Sequence, residues 1–264
     1  SDCAAYPEMP TAMEGTPYKG RGENQPIIGF ADTHTHMGMS SEMSLAGNVG
    51  PSAGGVLYGE VVHRFGIPHA LDNCQGFHGP NGIRDPNNIL ENNPTGMHQT
   101  QGWPTFVDWP RRNFLTHQVM YHAWVERAWR AGLRLMVNHG TNIAALCRVG
   151  ATVSGNPGAD CDDMSVASKQ VEYLYDVQDY VDAQFGGPGK GWYRIVKSPA
   201  EARQVANEGK LAVVLGIEVA QVFNCGVTFL PGGGEIRKCD QAQIDAEIDK
   251  LWALGARHVY PFHD

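Results

Sequence analysis

Glu208-Gly209-Lys210-Leu211-Ala212-Val213-Val214-Leu215-Gly216-Ile217-Glu218 decides the architecture of this chain. A helix closing on Gly209 turns through Lys210 into a nearly continuous apolar run, and a carboxylate stands where that run stops. Glycine supplies the left-handed conformation that a helix C-terminus needs. A strand that is apolar at successive positions is covered on both faces, which is the habit of parallel sheets. The stretch therefore predicts one helix-to-strand unit of a parallel α/β fold, with a strand over 211–217 and Glu218 at its C-terminal end.

The same grammar repeats on either side. Ser198-Pro199-Ala200-Glu201 is a capping box with proline at the first helical position, and it opens the helix that ends at Gly209. Downstream, Asp240-Gln241-Ala242-Gln243 opens another helix with the stripe Ile244, Ile248, Leu251 and Leu254; Gly255 ends it and a strand over 258–262 follows. Pro261 is awkward there, because it cannot donate to a sheet ladder. Upstream, Leu115, Val119 and Ala123, continued by Trp124, Ala128 and Ala131, form a helix ending at Gly132, before a strand over 133–138. A second helix covers about 165–184, with Val171, Leu174, Val177 and Val181 on one face. Pro26-Ile27-Ile28-Gly29-Phe30-Ala31 leads into a strand over 27–33, and Tyr193-Arg194-Ile195-Val196 is a weaker candidate for one more.

Four helix-separated parallel strands make half of an eight-stranded barrel, whose complete form takes about 250 residues. The expected fold is the first half of a (β/α)8 TIM-like barrel over residues 27–264, behind a polar surface segment at 1–26. An insertion at about 37–112, dense in Gly, Pro and Asn, is read as lying over one mouth of the barrel, since structureless stretches of that length are usually functional. A half barrel exposes two strand edges and an open core. A second polypeptide carrying the rest of the barrel is accordingly expected as a partner.

Composition narrows the function. Over 264 residues the formal charge is −8, and the cations form no cluster, which argues against nucleic acid or an anionic membrane surface. No apolar run is long enough to span a bilayer, and Ser1-Asp2-Cys3 lacks the basic and apolar regions of a signal peptide. Of the six cysteines, Cys147 and Cys161 bracket one Gly/Asn/Asp loop, Cys225 and Cys239 bracket a Gly-rich one, and Cys3 and Cys74 remain. None has zinc-site spacing. Disulfides across such loops place the protein in an oxidising compartment, secreted or periplasmic; the alternative is a cytosolic enzyme with buried thiols.

The chemistry gathers at strand ends. In Asp32-Thr33-His34-Thr35-His36, side chains two apart on a strand point to one side, so both imidazoles can face one ion. Isolated His-x-His is commonly just solvent-facing, but here it closes an apolar strand. Glu218 puts a carboxylate at the C-terminal end of a buried strand, where parallel barrels build their active sites. His263 holds the equivalent place on the last strand, where it could bind metal or polarise a substrate carbonyl; Asp264 stands beside it. His139 is placed similarly on the second strand, with supporting or packing roles equally open. His63, His69, His78 and His98 fall in the insertion, while His117 and His122 are five apart and do not align on one helix face. Asp160, Asp162 and Asp163 lack a calcium-loop pattern and read as solvated charge.

Asp32-Thr33-His34-Thr35-His36 after its apolar run resembles the opening of the amidohydrolase superfamily. The stretches 198–201, 208–218 and 251–259, ending in His263, look most like the membrane (renal) dipeptidase family. The resemblance implies that Glu218 is a metal-bridging ligand and that His263 contacts substrate. The dipeptidases carry His-x-Asp where this chain has His34-x-His36, and their remaining ligands would lie beyond Asp264. The expectation is a hydrolase of amide, peptide or related carbonyl bonds. It would use one or two divalent ions, zinc foremost, held by His34, His36 and Glu218, with His263 catalytic and a small molecule or peptide as substrate. The alternatives are a mononuclear deaminase or lactonase, and a non-catalytic secreted binding or structural protein on a degenerate scaffold.

Overall fold

The computed structural model describes residues 17–22, 24–40, 61–62, 121–153, 158–229, 231–232 and 235–261. Strand β1 (Phe30–Thr35) is followed by a 3-10 turn (Met37–Ser40), helix α1 (His122–Arg130), β2 (Leu133–Asn142), α2 (Ala144–Val153) and the long α3 (Asp163–Gln184). Then come β3 (Tyr193–Val196), α4 (Pro199–Asn207), β4 (Leu211–Val219), a 3-10 turn (Val222–Asn224), the hairpin β5 (Val227–Phe229) and β6 (Glu235–Arg237), α5 (Gln241–Leu254) and β7 (Ala256–Tyr260).

Local chemistry sets these elements. Asp162, Ser198 and Asp240 cap α3, α4 and α5 by accepting the amides of Ser165, Glu201 and Gln243, each three residues on. The Glu201 carboxylate reaches back to the amide of Lys197 at 2.6 Å. Gly132, Gly209 and Gly255, the three predicted helix-ending glycines, all have positive φ (117°, 80° and 98°).

β1, β2, β4, β3 and β7 form one parallel sheet. Its centre is β4, which pairs along its length with β2. On its other flank the first half of β4 meets β3 (Tyr193↔Leu211 to Val196↔Val214), and the second half meets β7 (Leu215↔Ala256 to Glu218↔Tyr260). One face is covered: Met164, Ala167, Val171, Leu174, Val177 and Val181 of α3 pack with Met136, Val213, Leu215 and Ile217 from the strands. Helix and sheet approach closely at Gly140, where a Cβ would lie 2.2 Å from the carbonyl oxygen of Ala167. At the N-terminal end of the strands Trp129 stacks on Trp192, centroids 5.2 Å apart, and donates to the carbonyl of Gly209.

The alternating parallel α/β organisation is as expected, including the weaker strand at 193–196. Boundaries moved. β1 begins at Phe30 rather than 27, because exposed Ile27 and Ile28 precede the first pairing with β2. β7 runs from Ala256 to Tyr260, so Pro261 falls just past the ladder and its missing donor costs nothing. The first helix is described from His122; positions 115–120 lie outside the described residues. Cys147 belongs to α2 instead of a loop edge. The disulfides Cys147–Cys161 and Cys225–Cys239 are formed, while Cys3 and Cys74 lie outside the described residues. Of the insertion, Met37 and Val61 are buried in the main core, and the Val61 carbonyl accepts the amide of His122 at 2.9 Å, so these parts brace the fold. The remainder of the insertion and most of segment 1–26 lie outside the described residues. Among the described residues no helix is long and apolar enough to cross a membrane.

Candidate metal centre

Alternation along β1 orients the two histidines. Thr35 is buried towards the helix side, its hydroxyl donating to the carbonyl of Val137 at 2.9 Å, and the amide of Met37 donates to Asn138 Oδ1 at 3.1 Å. With those residues held, His34 and His36 turn to the opposite, open face. Asp32 Oδ1 accepts the His34 amide at 3.2 Å and steadies the strand end.

Glu218 arrives on the same face from β4, in register with Thr141 of β2 and Tyr260 of β7. His34 Nε2 lies 2.8 Å from Glu218 Oε2, His36 Nε2 3.2 Å from the same oxygen, and the two nitrogens are 3.1 Å apart. Among the described residues this is the one group of three or more His, Cys, Asp or Glu able to hold a metal ion. A tetrahedral zinc with bonds of about 2.0–2.1 Å separates its ligands by roughly 3.3 Å, close to the edges of this triangle.

The donor chemistry fits a cation as well. His36 Nδ1 is 3.2 Å from the carbonyl oxygen of His139. A carbonyl only accepts, so Nδ1 carries the proton and a neutral His36 presents a bare lone pair at Nε2. That lone pair faces a carboxylate oxygen. Two acceptors at 3.2 Å need either a proton on the imidazole or a metal between them. Glu218 is 5% exposed. Burial pushes its pKa up, but hydrogen bonds and positive charge from His36 and His34, when those rings are protonated, outweigh that and hold it at about 2. It is therefore ionised over the whole physiological range. The imidazole–carboxylate set accommodates zinc and its first-row neighbours, and does not select among them.

Around the triangle stand residues the sequence left undecided or unnoticed. His139 on β2 is fully buried beneath it, its ring centroid 4.9 Å from that of His34. Burial, then the neighbouring His258, His36 and His34, lower its pKa to about 3, so it is neutral. Its Nε2 lies 2.7 Å from His258 Nδ1. Tyr260 places its ring edge-on to His34, centroids 5.3 Å apart. His258 and Tyr260 are not singled out by the sequence; they alternate on β7, and only its register with Gly216 and Glu218 brings them to the site.

His122 is removed from this face; its Nδ1–H donates to the carbonyl of Val61 and burial holds its pKa at about 4. The acidic residues at the start of α3 are structural rather than simply solvated. Asp160 accepts Ser165 and Lys169, Asp162 caps the helix, and buried Asp163 accepts Asn142 Nδ2 and the Gln221 amide. His263 and Asp264 lie outside the described residues, as do His63, His69, His78, His98 and His117. The chain matches no protein-family model, no curated protein and no solved structure.

Proposed function

We propose that this chain carries the metal-binding part of a metal-dependent hydrolase of the amidohydrolase type, acting on amide, peptide or related carbonyl bonds. One observation carries the reading: His34, His36 and Glu218 converge to within about one ligand–ligand spacing at the C-terminal ends of parallel strands. A divalent ion held there, zinc foremost, supplies Lewis acidity and water activation when bound. Three protein ligands leave a position open, as catalytic rather than structural sites do.

The residues divide the work. His36, locked by the His139 carbonyl, and His34, steadied at its amide by Asp32, present Nε2 lone pairs. Glu218 brings the negative charge. His263, by its place after β7, is assigned to substrate. In this reading the sheet is the first half of a TIM-like barrel. Among the described residues its flanks carry exposed apolar side chains: Ile28 before β1, Phe30 on it, Val259 and Tyr260 on β7, and Ile248 and Trp252 on α5. Those edges call for further strands, which in this reading come from outside the described residues. The two disulfides fit an oxidising compartment, secreted or periplasmic.

The test is metal content and intact mass of the protein purified from its source without chelators, followed by hydrolysis of a dipeptide and lactone panel. One or two zinc equivalents, lost in Glu218→Gln together with chelator-sensitive hydrolysis, are expected. A preparation without stoichiometric metal would refute the hydrolase and favour a binding or structural protein on the same scaffold.

A further inference from the structure

Among the described residues, His139 meets both metal-site imidazoles. Its carbonyl oxygen accepts from His36 Nδ1, and its ring lies against that of His34, centroids 4.9 Å apart and tilted by 46°. Small displacements of His139 therefore move both ligands. What fixes His139 is unusual for a packing residue. It is wholly buried, yet its Nδ1 finds no hydrogen-bond partner among the described residues. Burying an imidazole that way costs free energy that a leucine would avoid. Its other nitrogen, Nε2, is engaged at 2.7 Å by His258 Nδ1 across the intervening strand β4. The two rings meet over Gly216, the residue in register with both. A Cβ on Gly216 would lie 2.9 Å from His139 Cδ2 and 3.0 Å from His258 Cβ, so the missing side chain is the space in which the pair forms.

We infer that His139 and His258 are a positioning pair: through one imidazole–imidazole hydrogen bond, His258 fixes His139, and His139 aligns His34 and His36 for metal. The inference rests on the metal-site reading above and assigns the pair neither metal nor substrate. A ring-to-ring hydrogen bond needs an N–H on one partner and a lone pair on the other, so it fixes complementary tautomers as well as orientation. The partners of metal-bound histidines work in this way, and their loss typically weakens metal binding about 10–100-fold.

The experiment compares wild type, His36→Ala, His258→Phe and His258→Asn in the complete protein, with any polypeptide that copurifies. Zinc affinity is read by chelator competition, ligand geometry by the visible absorption of the cobalt-substituted protein, and folding by circular dichroism. Phenylalanine keeps the ring and removes the nitrogen, whereas asparagine restores a hydrogen-bonding atom near the position of Nδ1. We expect His258→Phe to lose about tenfold or more in zinc affinity with an altered cobalt spectrum. His258→Asn should recover most of the affinity and the wild-type spectrum. Should the phenylalanine variant not fold, His258→Leu takes its place. Unchanged affinity and spectrum in the nitrogen-free variant, or an equal loss in His258→Asn, overturns the pairing. If His36→Ala loses metal while His258→Phe keeps it, only this inference falls. If wild type binds no metal, the site reading falls and this one with it.

Discussion

Alanine at three glycines measures how tightly the open face and the helix-covered face are built. At Gly216 an added Cβ would meet the His258 carbonyl oxygen at 2.8 Å, His139 Cδ2 at 2.9 Å and His258 Cβ at 3.0 Å. Two of those atoms belong to β7, which pairs with no further strand among the described residues and can yield by a few tenths of an ångström. Overpacking of this kind costs about 1–3 kcal/mol, and Gly216→Ala should fall in the lower half of that range. At Gly140 the Cβ would lie 2.2 Å from the carbonyl oxygen and 2.9 Å from the carbonyl carbon of Ala167, in the second turn of α3. Neither a central strand nor that helix can retreat, so Gly140→Ala should cost about 3 kcal/mol or fail to fold. Gly158 has nothing within 4 Å and serves as the control, neutral or slightly stabilising. Urea titration followed by circular dichroism gives the order, and thermal melts should show about 2–4 °C per kcal/mol. If Gly216→Ala lies within about 0.5 kcal/mol of Gly158→Ala, the close approach of His139 and His258 over β4 is wrong.

Two further outcomes check other parts of the molecule. Buried His122 has its pKa lowered from 6.5 to about 4. The unfolded chain therefore takes up a proton before the folded one does. The stability this residue contributes is full above about pH 6.5 and is lost as the pH falls towards 4, by about 3 kcal/mol in all. His122→Phe should flatten urea midpoints between pH 6.5 and 4, and an unchanged slope would refute the assignment. Asp182, near the end of α3, accepts the amides of Gly191 and Gly189 at 2.7 and 2.8 Å and pairs with Arg194 at 2.9 Å. Asp182→Ala strands a part-buried guanidinium and two amides and should cost about 3 kcal/mol in urea titration; Asp182→Asn, which keeps an acceptor, should cost clearly less.

Much of this arrangement was legible because local chemistry and tertiary need agree. Capping residues, helix-ending glycines and unbroken apolar runs announced β2, β4, α3, α4 and α5, and carboxylate or imidazole at a strand end announced His34, His36 and Glu218. What stayed hidden depends on pairing. Ile27 and Ile28 look like strand residues, yet the ladder with β2 begins only at Phe30. α2 is inconspicuous in the sequence because small residues make up much of it. His139 is ambiguous and His258 inconspicuous in the sequence, because a histidine inside a strand acquires meaning only when register puts another one across a glycine. That relation spans 119 residues of sequence, and no periodicity carries it.

The divided flank of β4 has a dynamic consequence. Residues 211–214 are held between β2 and β3, while residues 215–218 trade β3 for β7, which pairs with no further strand among the described residues. Opening free energies differ across a fold according to how each segment is backed. Fluctuations that peel β7 away would bare the Glu218 end of β4 while its other end stayed closed. The candidate site thus sits at the less firmly backed end of β4, and an ion held by His34, His36 and Glu218 would act as a clasp between β1 and β4, drawing retention of metal and local breathing into a single equilibrium.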